Sequence, residues 1–187
     1  MDLSAYKSLR INGVELVKLV IGGVVAWAKK TFTNLVPLST DTDGSIYNGV
    51  GYKDNVRLSS SGGISSSAQN GSTTTGFIPW NGADTDIIRV KGVEWVTALD
   101  SGKHYYINFY DSSRKFLNYL SSGVYAEGTY DHVLTITRDE NGVETFDFNE
   151  NYGTSNTFLQ HARKSKYFRI TAKGKGADMV VTINEEI

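Results

Sequence analysis

Lys103-His104-Tyr105-Tyr106-Ile107-Asn108-Phe109-Tyr110 alternates along its whole length. Tyr105, Ile107 and Phe109 fall on one side of an extended chain. His104, Tyr106, Asn108 and Tyr110 fall on the other. A period of two residues marks a strand with one face in a core. Asp111-Ser112-Ser113-Arg114 supplies a turn, and Phe116 to Leu120 is the returning strand.

The same pattern extends in both directions. His132 to Arg138 and Val143 to Phe148 flank Asp139-Glu140-Asn141-Gly142 and predict a hairpin. Ser155 to Arg163 predicts one short helix with Ser155 as its N-cap. Tyr167 to Ala172 and Met179 to Asn184 are the last strands, with Lys173 to Asp178 between them. Upstream, Val56 to Ser59, Thr75 to Trp80, Asp86 to Val90 and Val93 to Val96 are short strands, and Pro79 ends its strand or sets it on an edge. Ser59 to Gly76 is almost all Ser, Thr and Gly, which predicts a long loop outside the core. Short strands with a turn signal about every 8–12 residues, and no long amphipathic helix, predict an all-β chain with an antiparallel jelly-roll sandwich over residues 34–187.

The N-terminal 33 residues read as a separate unit. Leu9 to Trp27 holds two turn signals, Asn12-Gly13 and Gly22-Gly23, between β-branched runs, and predicts a small three-stranded hairpin element. Its middle run, Val14 to Ile21, is apolar except for Glu15 and Lys18. So short a piece cannot bury that surface by itself. Val17, Leu19, Ile21, Val25 and Trp27 are therefore the expected assembly interface, either with other proteins or with copies of the same chain. Lys29 to Pro37 is expected to be the tether to the sandwich.

Composition excludes several function classes. Among 187 residues, 12% are aromatic and the formal net charge is −1, so a real core is expected and no electrostatic footprint for nucleic acid is present. The cluster Arg163-Lys164-Ser165-Lys166 with Arg169 reads as a solvated strand approach. With no Cys there is neither a disulfide nor a thiolate metal site. No signal peptide is recognisable, and the apolar run Leu19 to Ala28 is far below the ~20 residues of a membrane helix, so no membrane insertion is expected.

Several segments resemble virion structural proteins of tailed phages and prophages of Gram-positive bacteria. They are Ile11 to Glu15 with Val24 to Trp27, Asp41 to Tyr52 with Arg57-Leu58-Ser59, Gly76-Phe77-Ile78-Pro79, Ile88 to Val93, Phe109-Tyr110-Asp111, and Tyr167 to Ile170 with Val181 to Glu185. The resemblance implies a short anchoring β-element followed by a jelly roll similar to carbohydrate-binding modules. It implies a virion location after assembly in the host cytoplasm, and other virion proteins as partners. A homo-oligomer, with a trimer by analogy to fibres, is implied as well. Two roles follow: a tail-tip, baseplate or fibre component that touches host-surface glycan, or a capsid decoration or head-fibre protein held by its N-terminal element.

Candidate chemistry is sparse. No Gly-x-Ser-x-Gly elbow, P-loop or dinucleotide fingerprint occurs, and His104, His132 and His161 have no metal-ligand spacing. The expectation is a non-enzyme without cofactor. Asp41, Asp43 and Asp54 invite a calcium reading, but Ile46 stands where an EF-hand needs Gly and Tyr52 where it needs Glu, so a polar turn is expected. For glycan, Trp80, Asn81 and Asp84 combine a stacking ring with hydroxyl-binding groups. Tyr106 and Tyr110 offer a second platform on the polar face of their strand. For these aromatics the alternative is burial of the ring with only the tip wet.

Overall fold

The computed structural model describes residues 9–11, 14–16, 18–21, 24–28, 31–65, 70–83, 85, 87–95, 106–121, 128–130, 134–148 and 157–187. The chain divides into two compact units, Met1–Thr33 and Asn34–Glu185. The fold is all-β and antiparallel, with a single α-helix among the described residues.

In the first unit, β1 (Leu9–Ile11) pairs with β2 (Val14–Leu16), and β3 (Lys18–Ile21) pairs with β4 (Val24–Ala28). The expected three-stranded element is instead two separate two-stranded sheets. The arms explain the difference. β1 is only three residues long and reaches Val14–Leu16, while β4 reaches Lys18–Ile21. No described residue of the middle run thus has a strand on both sides. The β3–β4 register shifts between Leu19 and Val20, so Ala26 is the extra residue of a bulge.

The second unit is a sandwich. One sheet has the order β10 (Phe116–Ser121), β9 (Tyr106–Tyr110), β14 (Tyr167–Lys173), β6 (Ser72–Thr75), β5 (Tyr52–Asp54), with β7 (Ile78–Pro79) also on β14. The other has the order β11 (Gly128–Tyr130), β12 (Leu134–Arg138), β13 (Glu144–Asp147), β8 (Ile87–Lys91), β15 (Val180–Ile183). The helix α1 spans Thr157–Lys164. Ile107, Phe109, Phe168 and Ile170 from the first sheet meet Ile88, Val90, Phe146 and Val181 from the second in one buried cluster. Each such side chain is worth roughly 1.5–3 kcal/mol on burial, so this layer dominates the sandwich's stability.

Three expectations are corrected. First, Ser72–Thr75 is a strand inside the stretch read as loop, and all four residues are buried. Threonine is β-branched and suits a strand. Two of the three hydroxyls are satisfied, while Thr73 Oγ1 is buried without a partner: Thr74 Oγ1 lies 2.7 Å from Thr171 Oγ1, and Thr75 Oγ1 accepts the Ile170 N–H at 3.0 Å. Second, residues 34–36, read both as the start of the sandwich and as the end of the tether, belong to the sandwich. Val36 is buried, and the Leu35 N–H donates to the Val181 carbonyl at 3.0 Å. Third, neither Val56–Ser59 nor Val93–Trp95 forms a strand. Each contributes one isolated bridge, Leu58 to Ile64 and Glu94 to Lys173. The expected positions Lys103, His104, Tyr105, His132 and Ser155 lie outside the described residues.

Candidate functional site

The outer face of β9 and β14 is where the polar half of the alternation emerges, and it is covered. Arg57 to Ser65 lies across it as a strap. The Leu58 N–H donates to Thr171 Oγ1 at 2.9 Å, Asn108 Nδ2 to the Ser59 carbonyl at 2.9 Å, and Tyr110 Oη to the Gly62 carbonyl at 2.7 Å. Leu58, within the strap, is fully buried. A Cβ on Gly62 would come within 2.5 Å of the Phe116 side chain, so glycine is needed for that approach.

This arrangement corrects the sugar platforms expected from sequence. Tyr110 is 2% exposed and Tyr106 is 8% exposed. Burial pushes the Tyr110 phenol up to about 12, against the opposing charge of Arg169. Burial also raises the Tyr106 phenol, opposed by Arg57. Trp80 is 3% exposed and packs on Phe109, Phe148 and Phe168 with ring centroids at 5.1, 5.2 and 5.7 Å. It belongs to the core because β7 ends in Pro79 and the Trp80 N–H then ties back to the Lys166 carbonyl at 2.8 Å. Asn81 is half-buried and accepts the Lys166 ammonium on Oδ1. Asp84 lies outside the described residues, as does Val17. Leu19, Ile21, Val25 and Trp27 lie on β3 and β4.

Two aromatic residues the sequence pattern did not single out are partly open beside the strap. Phe116 and Tyr119 are three apart, which places them on opposite faces of a regular strand. The register of β10 shifts between Phe116 and Asn118, so Leu117 is the extra residue of a bulge. Phe116 then pairs with Tyr110, and Tyr119 with Asn108, and both rings share the outer face. Their planes differ by 24° with centroids 6.5 Å apart, and Tyr106 meets Tyr119 edge-on at 5.5 Å. Two buried polar atoms in this neighbourhood, Asn108 Oδ1 and Arg57 Nε, have no hydrogen-bond partner. Half-open rings suit a ligand with an apolar face, while the two unsatisfied atoms are buried beneath them and closed to solvent. No sequence signal marks a bulge here, which is why the pair was missed.

The other expected clusters have structural uses. Asp43 Oδ1 accepts the Ser45 N–H at 2.9 Å and its hydroxyl at 2.6 Å, which hold the Asp43 carboxyl below the usual range. Asp41 Oδ1 accepts the Thr42 N–H at 2.7 Å, and Asp54 Oδ1 the Gly176 N–H at 2.9 Å. Among the described residues no group of three His, Asp or Glu residues is placed to hold a metal ion. Arg169 is not solvated: it is 6% exposed, and its guanidinium carbon stands 4.9 Å from the ring centroids of both Tyr47 and Phe77. Arg163 donates to the Phe148 carbonyl at 2.7 Å, tying α1 to the end of β13. Among the described residues no helix is long and apolar enough to cross a membrane. No protein-family model, curated protein or solved structure matches this chain.

Proposed function

We propose that this chain is a non-enzymatic structural protein of a tailed-phage particle, a tail-tip, baseplate or fibre component. Its N-terminal hairpins attach to other virion proteins or to sister copies. Its sandwich touches host-surface glycan through the Phe116–Tyr119 face. The observation that carries this reading is the division between a self-contained sandwich and a unit of two-stranded hairpins. An isolated two-stranded hairpin is marginal in water, so the hairpin unit calls for a covering surface. The sandwich has a continuous core of its own. The phage-protein resemblance supplies the setting.

Burial of Trp80 and Tyr110 favours the second role, a capsid decoration or head fibre, because it shrinks the aromatic surface offered to sugar. Gold-labelled antibody against the sandwich, imaged on intact particles, separates the two. Label at the tail tip or baseplate supports the first role, and label over the capsid supports the second. Particles without label, from cells that make the protein, overturn the virion assignment.

A further inference from the structure

One end of the sandwich carries an open concavity of ≈ 500 Å³ where strands of both sheets finish. Lys91 ends β8, Lys173 ends β14, and the Arg138–Gly142 turn joins β12 to β13. The segment after β8 crosses from one sheet to the other. Glu94 and Lys173 exchange both backbone hydrogen bonds at 2.8 Å. We propose that this concavity binds an oxyanion, the phosphate or carboxylate group of an acidic polymer, between Lys91, Lys173 and Arg138.

Four observations converge on it. Three cations from three different strands line one space, and only Glu94 among its lining residues is acidic. The Lys91 ammonium makes no ion pair or hydrogen bond among the described residues. The Lys173–Glu94 pair is loose, at 3.8 Å with both side chains nearly half exposed, and such a pair is readily exchanged for another anion. Arg138 is held from below: its Nη1 bonds the fully buried Glu144 at 3.0 Å, while the group stays a quarter exposed above.

The walls are kept low by backbone geometry. Gly92, Gly142 and Gly174 all line the space, with φ of +81°, +74° and +135°. A Cβ on Gly92 would strike the Asp178 carbonyl at 1.8 Å, and one on Gly174 would crowd Val93 at 2.9 Å. A Cβ on Gly142 would stand 3.5 Å from Arg138 Nη2, so glycine leaves the guanidinium uncovered on that side. Asp139 turns its Oδ1 to the Asn141 and Val143 N–H groups at 2.9 and 2.8 Å, and Asp178 sits behind Gly92 in the helical turn Gly176–Asp178. Two lysines as point charges beside an Arg fork are a donor set for oxygen anions.

The test titrates the full chain with inorganic tripolyphosphate at constant ionic strength, following the amide resonances of Gly92, Gly142 and Gly174. Saturable shifts are expected at those glycines. Lys91→Gln with Lys173→Gln should weaken binding by about tenfold or more, while the paired Lys→Arg variant retains it. Glu94→Gln should tighten binding several-fold by removing the competing carboxylate. A glycerol-phosphate oligomer and an oligogalacturonate, titrated the same way, distinguish phosphate from carboxylate as the source. Shifts reproduced by sodium chloride alone, or left unchanged by the double glutamine variant, overturn the proposal. Particle labelling is independent of this result, so the two readings fail separately.

Discussion

The side chain of Asn34 takes the place of a neighbouring strand for Val181. Its Oδ1 accepts the Val181 N–H and its Nδ2 donates to the Met179 carbonyl, each at 3.1 Å. The same Oδ1 accepts the Val36 N–H at 3.1 Å, and Leu35 donates to Val181 at 3.0 Å. β15 is an edge strand, and exposed edges invite pairing with other chains. Asn34 and Leu35 close part of that edge.

Asn34→Ala should therefore lower stability by about 1–3 kcal/mol, since it strands polar groups that had partners. Urea unfolding of residues 31–187 measures it. The fragment should fold cooperatively, and one starting at residue 38 should melt well below it. Equal melting of the two fragments would show that residues 34–36 contribute nothing.

Tyr110→Phe removes the bond to Gly62 and should cost about 1 kcal/mol. It should also speed proteolysis within the Ser-rich strap. The phenol adds a pH signature. Its folded-state value is about 12 against an ordinary value of 10. The folded chain thus holds its proton longer than the unfolded chain. The resulting stability is whole below pH 10 and falls as pH rises toward 12. Alkaline unfolding should show this loss in the native chain and lack it in Tyr110→Phe.

Glu144→Ala should be the most damaging of these single changes, at about 3–5 kcal/mol for breaking a buried pair. The carboxylate is fully buried on the core face of β13, where Oε1 and Oε2 accept the Trp95 N–H at 3.0 and 2.9 Å. Removing it takes the Glu144 bond from Arg138 and leaves the buried Trp95 amide without its acceptor. Arg138→Met with Glu144→Leu should recover part of the loss in a double-mutant cycle of denaturation midpoints.

Tyr119→Thr should abolish glycan contact while holding the melting temperature within a few degrees, because threonine suits a strand and the ring is only partly buried. Saturation-transfer spectra with neutral hexosides and with hexuronates provide the readout. Undiminished transfer in this variant would remove the Phe116–Tyr119 face from the proposal.

Much of the fold was legible because it rests on local pattern. The alternation through Ile107 and Phe109, the Asp139–Gly142 turn, and strands β8, β14 and β15 all follow from residue spacing. The failures share a physical cause. Polar composition at Thr74 and Thr75 signals solvent only if no partner exists, and the partners here, Thr171 and Ile170, lie about a hundred residues away. Asn34 likewise reads as linker until Val181 is placed beside it. At the candidate site, alternation put Tyr106 and Tyr110 on the correct face but gave no hint of the strap above them.

The extra residue at Leu117 changes what a one-codon deletion does to this strand. In a regular strand, losing one residue reverses the facing of everything on one side of the cut. Here, deleting Leu117 removes the bulge itself, so Phe116 still opposes Tyr110 and still faces outward. Deleting or inserting a residue elsewhere in β10 has no such refuge. The position is thus a tolerant point for length variation within an otherwise intolerant sheet, where local twist changes while the aromatic face keeps its members.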